Sequence, residues 1–267
     1  MKDRTFLVTG ATDGLGLDMA RRLAATGATV LIHGRDEQRL ADAARDVGGD
    51  VRTYLADFAD LDQVRDLAGR LADDGVRLDV LINNAGMGAG RRDDRRLEGK
   101  AGHELRFTVN HLAPFLLTRL LLPLLSPAAR IVTVASAGQS PIDFDDVMLH
   151  RGYEPLRAYR QSKLAQIATC FELAERLDPV QATVNSLHPA SLMGTKMVYE
   201  TFGYTMSTVA EGSEATLRLA LSDDLAGITG RYYDGVREAR AHVQCYDPSA
   251  RRRLWRLSSE LVGLPAD

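Results

Sequence analysis

Six short apolar, β-branched runs punctuate the chain: TFLVTG (5–10), TVLIHG (29–34), VRTYLAD (51–57), LDVLINNAG (78–86), ARIVTVAS (129–136) and ATVNSLHP (182–189). Each leads, directly or through a loop, into a longer stretch with helical periodicity. Alternation of this kind predicts an α/β fold, a doubly wound parallel sheet with helices on both faces. The runs are continuous rather than alternating, as strands covered on both sides are. There is no internal repeat, no low-complexity tract and no linker, so one domain over residues 1–267 is expected.

Two segments fall outside the alternation. GAGRRDDRRLEGKAG (88–102) mixes four arginines and a lysine with three acids and reads as a solvated loop. From Pro189 to about Gly212 the chain is rich in Met, Tyr and Phe. A loop that long and that apolar is expected to cover something, and we read 189–212 as a substrate lid.

Composition narrows the class. With 45% hydrophobic and 26% charged residues and a net charge of −3, the chain reads as globular, with no electrostatic reason to expect nucleic acid. Cys170 and Cys245 form no C-x-x-C pair and no Cys/His cluster, so neither a disulfide framework nor a metal site is expected. The first strand begins almost at once and no apolar run approaches membrane-spanning length, so a cytoplasmic protein is expected.

The candidate chemistry lies where the runs end. TGATDGLG follows the first strand and opens a helix, and the turn from Gly10 through Thr12, Asp13, Gly14 and Leu15 to Gly16 suits a pyrophosphate at the helix N-terminus. After the second strand, Gly34 stands where an acid would hold an adenosine ribose, and Arg35 follows. That combination favours the 2′-phosphate of NADP(H), although Asp36 is adjacent. Asp57 ends the third strand as a candidate acceptor for an adenine amino group, and Asp60 reads as a helix cap. INNAG places Asn84, Ala85 and Gly86 where a backbone can run along a cofactor ribose and an Asn side chain can tie strands together. Asn110 interrupts an apolar helix and needs a partner, for which a local kink with a bound water is one solution. Ser136 ends the fifth run, available to a substrate oxygen or to cap the next turn. Tyr159 and Lys163 lie four apart on one helical face, close enough for an ammonium to favour phenolate.

Together TGxxxGxG, NNAG, the helical Asn, the strand-end Ser and YxxxK resemble the short-chain dehydrogenase/reductase family across nearly the whole chain. IDFDDV, TGRYYDG and ARRRLWRLSSELVGL look like its retinol-dehydrogenase branch, whose members typically use NADP and handle lipophilic carbonyls and alcohols. The resemblance implies a Rossmann-type fold and a hydride transfer between NADP(H) and a carbonyl or alcohol of a mainly apolar small molecule. It makes Tyr159 the general acid or base and Lys163 the group that binds the nicotinamide ribose and lowers the tyrosine pKa. Ser136 would orient the substrate oxygen, and Asn110 would hold a water linking Lys163 to solvent. Pro189 and Thr195 are assigned to cofactor binding, Thr195 to the nicotinamide carboxamide or a phosphate.

One departure stands out. The family usually has Pro-Gly after the sixth strand, and here Ala190 occupies the glycine position, where a methyl is expected to disturb the loop path. Ala190 and the lid sequence motivate an alternative, reduction of an imine, hemiaminal or activated alkene. A second alternative is a non-catalytic NADP(H)-binding sensor, against which the full set Asn110, Ser136, Tyr159 and Lys163 argues. HLAPFLLTRLLLPLL and SKLAQIATCFELAERL carry more apolar surface than one side of a sheet needs. Since the corresponding helices pair across a dimer in resembling enzymes, a homodimer is expected.

Overall fold

In the computed structural model, described for residues 1–90, 95–195, 198–199 and 203–266, the six runs become six parallel strands. They are β1 (Thr5–Val8), β2 (Thr29–Gly34), β3 (Val51–Leu55), β4 (Leu78–Asn83), β5 (Leu125–Val134) and β6 (Ala182–His188). Two more strands extend the sheet: β7 (Arg231–Asp234) pairs parallel to β6, and β8 (Arg237–Ala239) returns antiparallel at the edge. The order is β3-β2-β1-β4-β5-β6-β7-β8, so the chain reverses direction across the sheet between β1 and β4. The carboxyl ends of those strands flank the crevice in which such sheets bind ligands.

Helices cover both faces. α1 (Gly14–Ala24), α2 (Glu37–Val47) and α3 (Leu61–Asp73) are capped at their N-termini by Asp13, Asp36 and Asp60. α4 is a continuous helical run over 105–121 in which Thr108–Leu112 form one π-helical turn. The expected irregularity at Asn110 is therefore this turn. With the residues that follow, Leu105–Leu124 is long and apolar enough to cross a membrane, contrary to the sequence reading, but 67% of it is buried within the fold, as in a core helix.

α5 (Pro155–Arg176) packs beside α4, and α6 (Val209–Leu221) begins earlier than the lid reading allowed. Thr208 and Glu211 form a reciprocal capping box, which makes the segment between β6 and α6 189–208 rather than 189–212.

The apolar surplus on α4 and α5 is partly consumed inside the subunit. α7 (Pro248–Leu261) lies against α5, and Trp255 meets Phe115 of α4 edge-on with ring centroids 4.9 Å apart, flanked by the guanidinium groups of Arg119 and Arg176. Part of the surface that suggested a homodimer is thus covered by α7. The described part of the loop, residues 95–102, is largely exposed, and it is tied down by Arg96, which donates to the Met148 carbonyl, and by Lys100, which pairs with Asp60 and Asp62; residues 91–94 lie outside the described residues.

Candidate active site

The turn between β1 and α1 is built by close backbone approach. Gly10 has φ +66°, and a methyl at Gly16 would sit 2.3 Å from the Gly10 carbonyl oxygen and 2.6 Å from Asn84 Nδ2. Asn84 uses that amide to tie β4 to β1, donating to the carbonyls of Thr9 (2.8 Å) and Gly10 (3.1 Å). Thr9 Oγ1 in turn accepts from the backbone N–H groups of Asn84 and Ala85. The floor of the crevice is therefore stitched before any ligand arrives. Asp13 caps α1 through the Gly14 N–H and pairs with Arg39, a residue the sequence reading passed over. Leu15 is buried, and the Thr195 methyl packs against Gly14, which brings the start of the lid to the phosphate turn.

At the adenosine end, Gly34 is compelled by its neighbour: a methyl there would fall 2.4 Å from Thr12 Cγ2. Arg35 is exposed and, among the described residues, has no hydrogen-bond or ion-pair partner. Asp36 is committed to the N–H of Arg39 as the α2 cap. Asp57 Oδ1 accepts from the Ala59 N–H, closing the turn after β3. Sequence reading missed His33, which joins these loops. Its Nδ1 accepts from the Gly10 N–H at 3.2 Å, its Nε2 donates to the Ala56 carbonyl at 3.0 Å, and its ring stacks on Phe58. Burial pushes its pKa down to about 4, so it works as a neutral bridge.

At the other end of the crevice the four residues expected to act together are brought together. Ser136 is buried, its Oγ accepts from the Gly138 N–H at 3.0 Å, and it lies near enough to the Tyr159 phenol to favour the ionised form. Lys163 Nζ lies 5.8 Å from the Tyr159 ring centroid and donates to the Val134 carbonyl at 3.0 Å. Asn110 Oδ1 accepts from the Met87 N–H, while Nδ2 donates to the Met87 carbonyl and to Ser162 Oγ. A methyl on Gly86 would lie 3.1 Å from Asn110 Oδ1 and 3.7 Å from Lys163 Nζ, so Gly86 keeps the space between them open. Behind this loop Arg106 donates to the carbonyls of Gly88 and Ala89 and to Tyr153, whose hydroxyl reaches Glu104. Nothing in the spacing of these residues marked that cluster.

The electrostatics depart from expectation in one respect. Burial raises the Tyr159 pKa and only Ser136 opposes it, while desolvation lowers Lys163 to about 8. An ammonium that is itself desolvated and stands beyond the ring does not bring the phenol down, so Tyr159 rests as a neutral proton donor. Ala190, by contrast, causes no strain. It is absent from the residues with positive φ, and the strained position is Leu192, with φ +46°, whose carbonyl accepts from the Met206 N–H. Pro189 lines the same corner, near Gly212.

A stitched glycine turn at the switch of strand order, with Ser, Tyr, Lys and Asn gathered at its far end, is matched by a known family. The family described as short chain dehydrogenase matches residues 4–203. The chain belongs to that family. Retinol dehydrogenase 13 of Homo sapiens is 34% identical over 98% of this short-chain dehydrogenase and 86% of its own length. The "Putative daunorubicin C-13 ketoreductase DnrU" of Streptomyces sp. (strain C5) is 36% identical over 97% and 93%. A crystal structure from Mycobacterium paratuberculosis, 33% identical, covers 99% of this chain and 95% of that one with a TM-score of 0.81. A short chain dehydrogenase from Shigella flexneri 2a, 28% identical with a TM-score of 0.72 over 88% of this chain, was complexed with NADP. A 3-ketoacyl-(acyl-carrier-protein) reductase from Brucella melitensis, 25% identical with a TM-score of 0.70 over 87%, was complexed with NADH. Family membership makes the protein a nicotinamide-dependent oxidoreductase and leaves the choice of cofactor to local residues.

Proposed function

We propose that the protein is an NADPH-dependent carbonyl reductase, or alcohol dehydrogenase in reverse, acting on a mainly apolar small molecule. The observation that carries the reading is the Ser136 hydroxyl held near a neutral, half-buried Tyr159 at the mouth of a glycine-lined crevice. When bound, the nicotinamide supplies the hydride. Ser136 orients the carbonyl oxygen, and Tyr159 gives it a proton as negative charge develops there. Lys163, whose one protein acceptor among the described residues is Val134, has N–H groups left for ribose hydroxyls. Asn110 fixes the loop through Met87 and stands across the Gly86 gap from Lys163, a fitting place for a water that returns the proton.

Support for an apolar substrate comes from Tyr199, Tyr204 and Met206, which are 65%, 56% and 71% exposed on the segment beyond β6. The names of the retinol and daunorubicin relatives agree with it. Ala190 has no positive φ, which weakens one of the two features that favoured an imine, hemiaminal or alkene and leaves the lid sequence as the other, and the intact Ser-Tyr-Lys-Asn set argues against a sensor. The test is NADPH oxidation across a panel of aldehydes, ketones and imines. Turnover confined to imines, or none at all, would sink the carbonyl reading.

Cofactor preference rests on Gly34, Thr12 and Arg35. In Arg35→Ala, NADPH affinity is expected to fall by roughly 10- to 100-fold, the worth of a charge-assisted hydrogen bond to phosphate, with little change for NADH. Equal losses in fluorescence titrations of the two cofactors would count against NADP.

A further inference from the structure

The carbonyl of Ser136 is held from the far end of the chain. Tyr232 in β7 directs its hydroxyl to that oxygen at 3.1 Å, and Gln139 Nε2 donates to it at 3.0 Å. Gln139 Oε1 accepts from the His242 N–H at 2.7 Å. Two residues on, Gln244 closes a reciprocal pair with Ile142, accepting from its N–H at 2.7 Å and donating to its carbonyl at 3.2 Å. The loop 136–142 that presents the serine is therefore clasped at both ends by β7 and the turn that follows β8. Both lie beyond residues 4–203, which the family pattern covers.

We propose that Tyr232 is a positioning residue: by fixing the Ser136 peptide, it aims the Ser136 hydroxyl at the substrate oxygen. Tyr232 is 4% exposed, so its hydroxyl is shielded from competing water and its proton is committed to this one carbonyl. Ser136 Oγ accepts from the Gly138 N–H within the same loop, so a rotation of the Ser136 peptide displaces the hydroxyl as well. The role rests on the carbonyl-reductase reading, while the clasp itself does not.

Tyr232→Phe keeps the buried ring and removes the donor. We expect kcat for the best ketone or aldehyde to fall about tenfold, with NADPH affinity and melting temperature close to wild type. The deciding comparison is a double-mutant cycle: in a Ser136→Ala background, Tyr232→Phe is expected to have no further effect on the residual rate, because its route to the chemistry is gone. Equal losses in both backgrounds, or no loss in the first, would overturn the proposal. Amide hydrogen exchange supplies a readout that needs no substrate, since Tyr232→Phe is expected to speed exchange at Gly138 and Ile142 and leave the β1 and β4 amides unchanged. Unchanged exchange at Gly138 would refute the clasp for any substrate. Faster exchange in a protein whose wild type reduces no carbonyl would instead place the failure in the carbonyl reading.

Discussion

Tyr159→Phe is expected to lose turnover by about a hundredfold to ten-thousandfold while NADPH still binds, because it deletes a proton donor and nothing else. The phenylalanine ring refills the same half-buried site, and the Ser136–Gly138 contact and the stitched turn at Gly10, Gly16 and Asn84 do not depend on the phenol oxygen. Stopped-flow reduction of a confirmed ketone, alongside a cofactor titration, separates the two quantities. A matched loss of binding and rate would make the tyrosine structural. Near-normal reduction would point to an acceptor that needs no enzymic proton, such as an iminium, which takes hydride without forming an alkoxide. The raised pKa of Tyr159 adds a condition. Reduction is expected to proceed undiminished through neutral pH and to weaken only where the phenol ionises, on the alkaline side of its ordinary value of 10.

Mild acid, between about pH 6.5 and 4, is expected to destabilise the protein. His33 has an ordinary pKa of 6.5 and is pushed down to about 4 in the fold by burial. The Ala56 carbonyl and Asp57 favour its charged form, and Arg70 opposes it. Between those two pH values the unfolded chain binds a proton that the native state refuses. Stability is therefore fully present above about 6.5 and is lost as pH falls towards 4, by about 3 kcal/mol over the whole range. His111, buried between Phe107 and Phe115 and pushed down to about 3, acts in the same direction. Urea unfolding at pH 7 and pH 4.5 checks the sign. A His33→Phe variant should be less stable at neutral pH, since the Gly10 N–H loses its acceptor, yet should lose less on acidification. If both proteins lost the same stability between the two pH values, His33 would not be the sensitive group.

The strands and the crevice were legible because continuous apolar runs, glycine spacing and strand-end polar residues are local signals. TFLV and DVLIN could hardly be anything but buried strands, and Ser136, Tyr159 and Lys163 needed only their offsets along known elements. What was not legible depends on partners distant in sequence. RYYD is four residues long and becomes β7 only because β6 offers it an edge. His33 reads as one apolar-run residue until Gly10 and Ala56 close on it from 23 positions away on either side. The direction of the Tyr159 shift was missed for a related reason. Spacing gives the nearness of a charge, whereas the depth at which both groups are desolvated is set by the whole fold. The homodimer expectation rested on the apolar surface of α4 and α5 alone, and the part of it that α7 meets through Trp255 depends on residues distant along the chain.

The contact between Thr12 and Gly34 restricts the order in which cofactor preference could drift. An aspartate at position 34 is the obvious first step towards NADH, yet its Cβ would start life 2.4 Å from the Thr12 methyl. Either the Thr12 side chain would have to turn away or the phosphate turn would have to shift, and binding of both cofactors is expected to suffer before NADH gains. Trimming Thr12 to alanine or glycine first clears the ground at little cost to NADPH, after which the acid is accommodated. The two substitutions are thus epistatic in sign: harmful in one sequence of events and permissible in the other. A laboratory selection for NADH use that begins from this chain is expected to fix a change at position 12 before any acid appears at position 34.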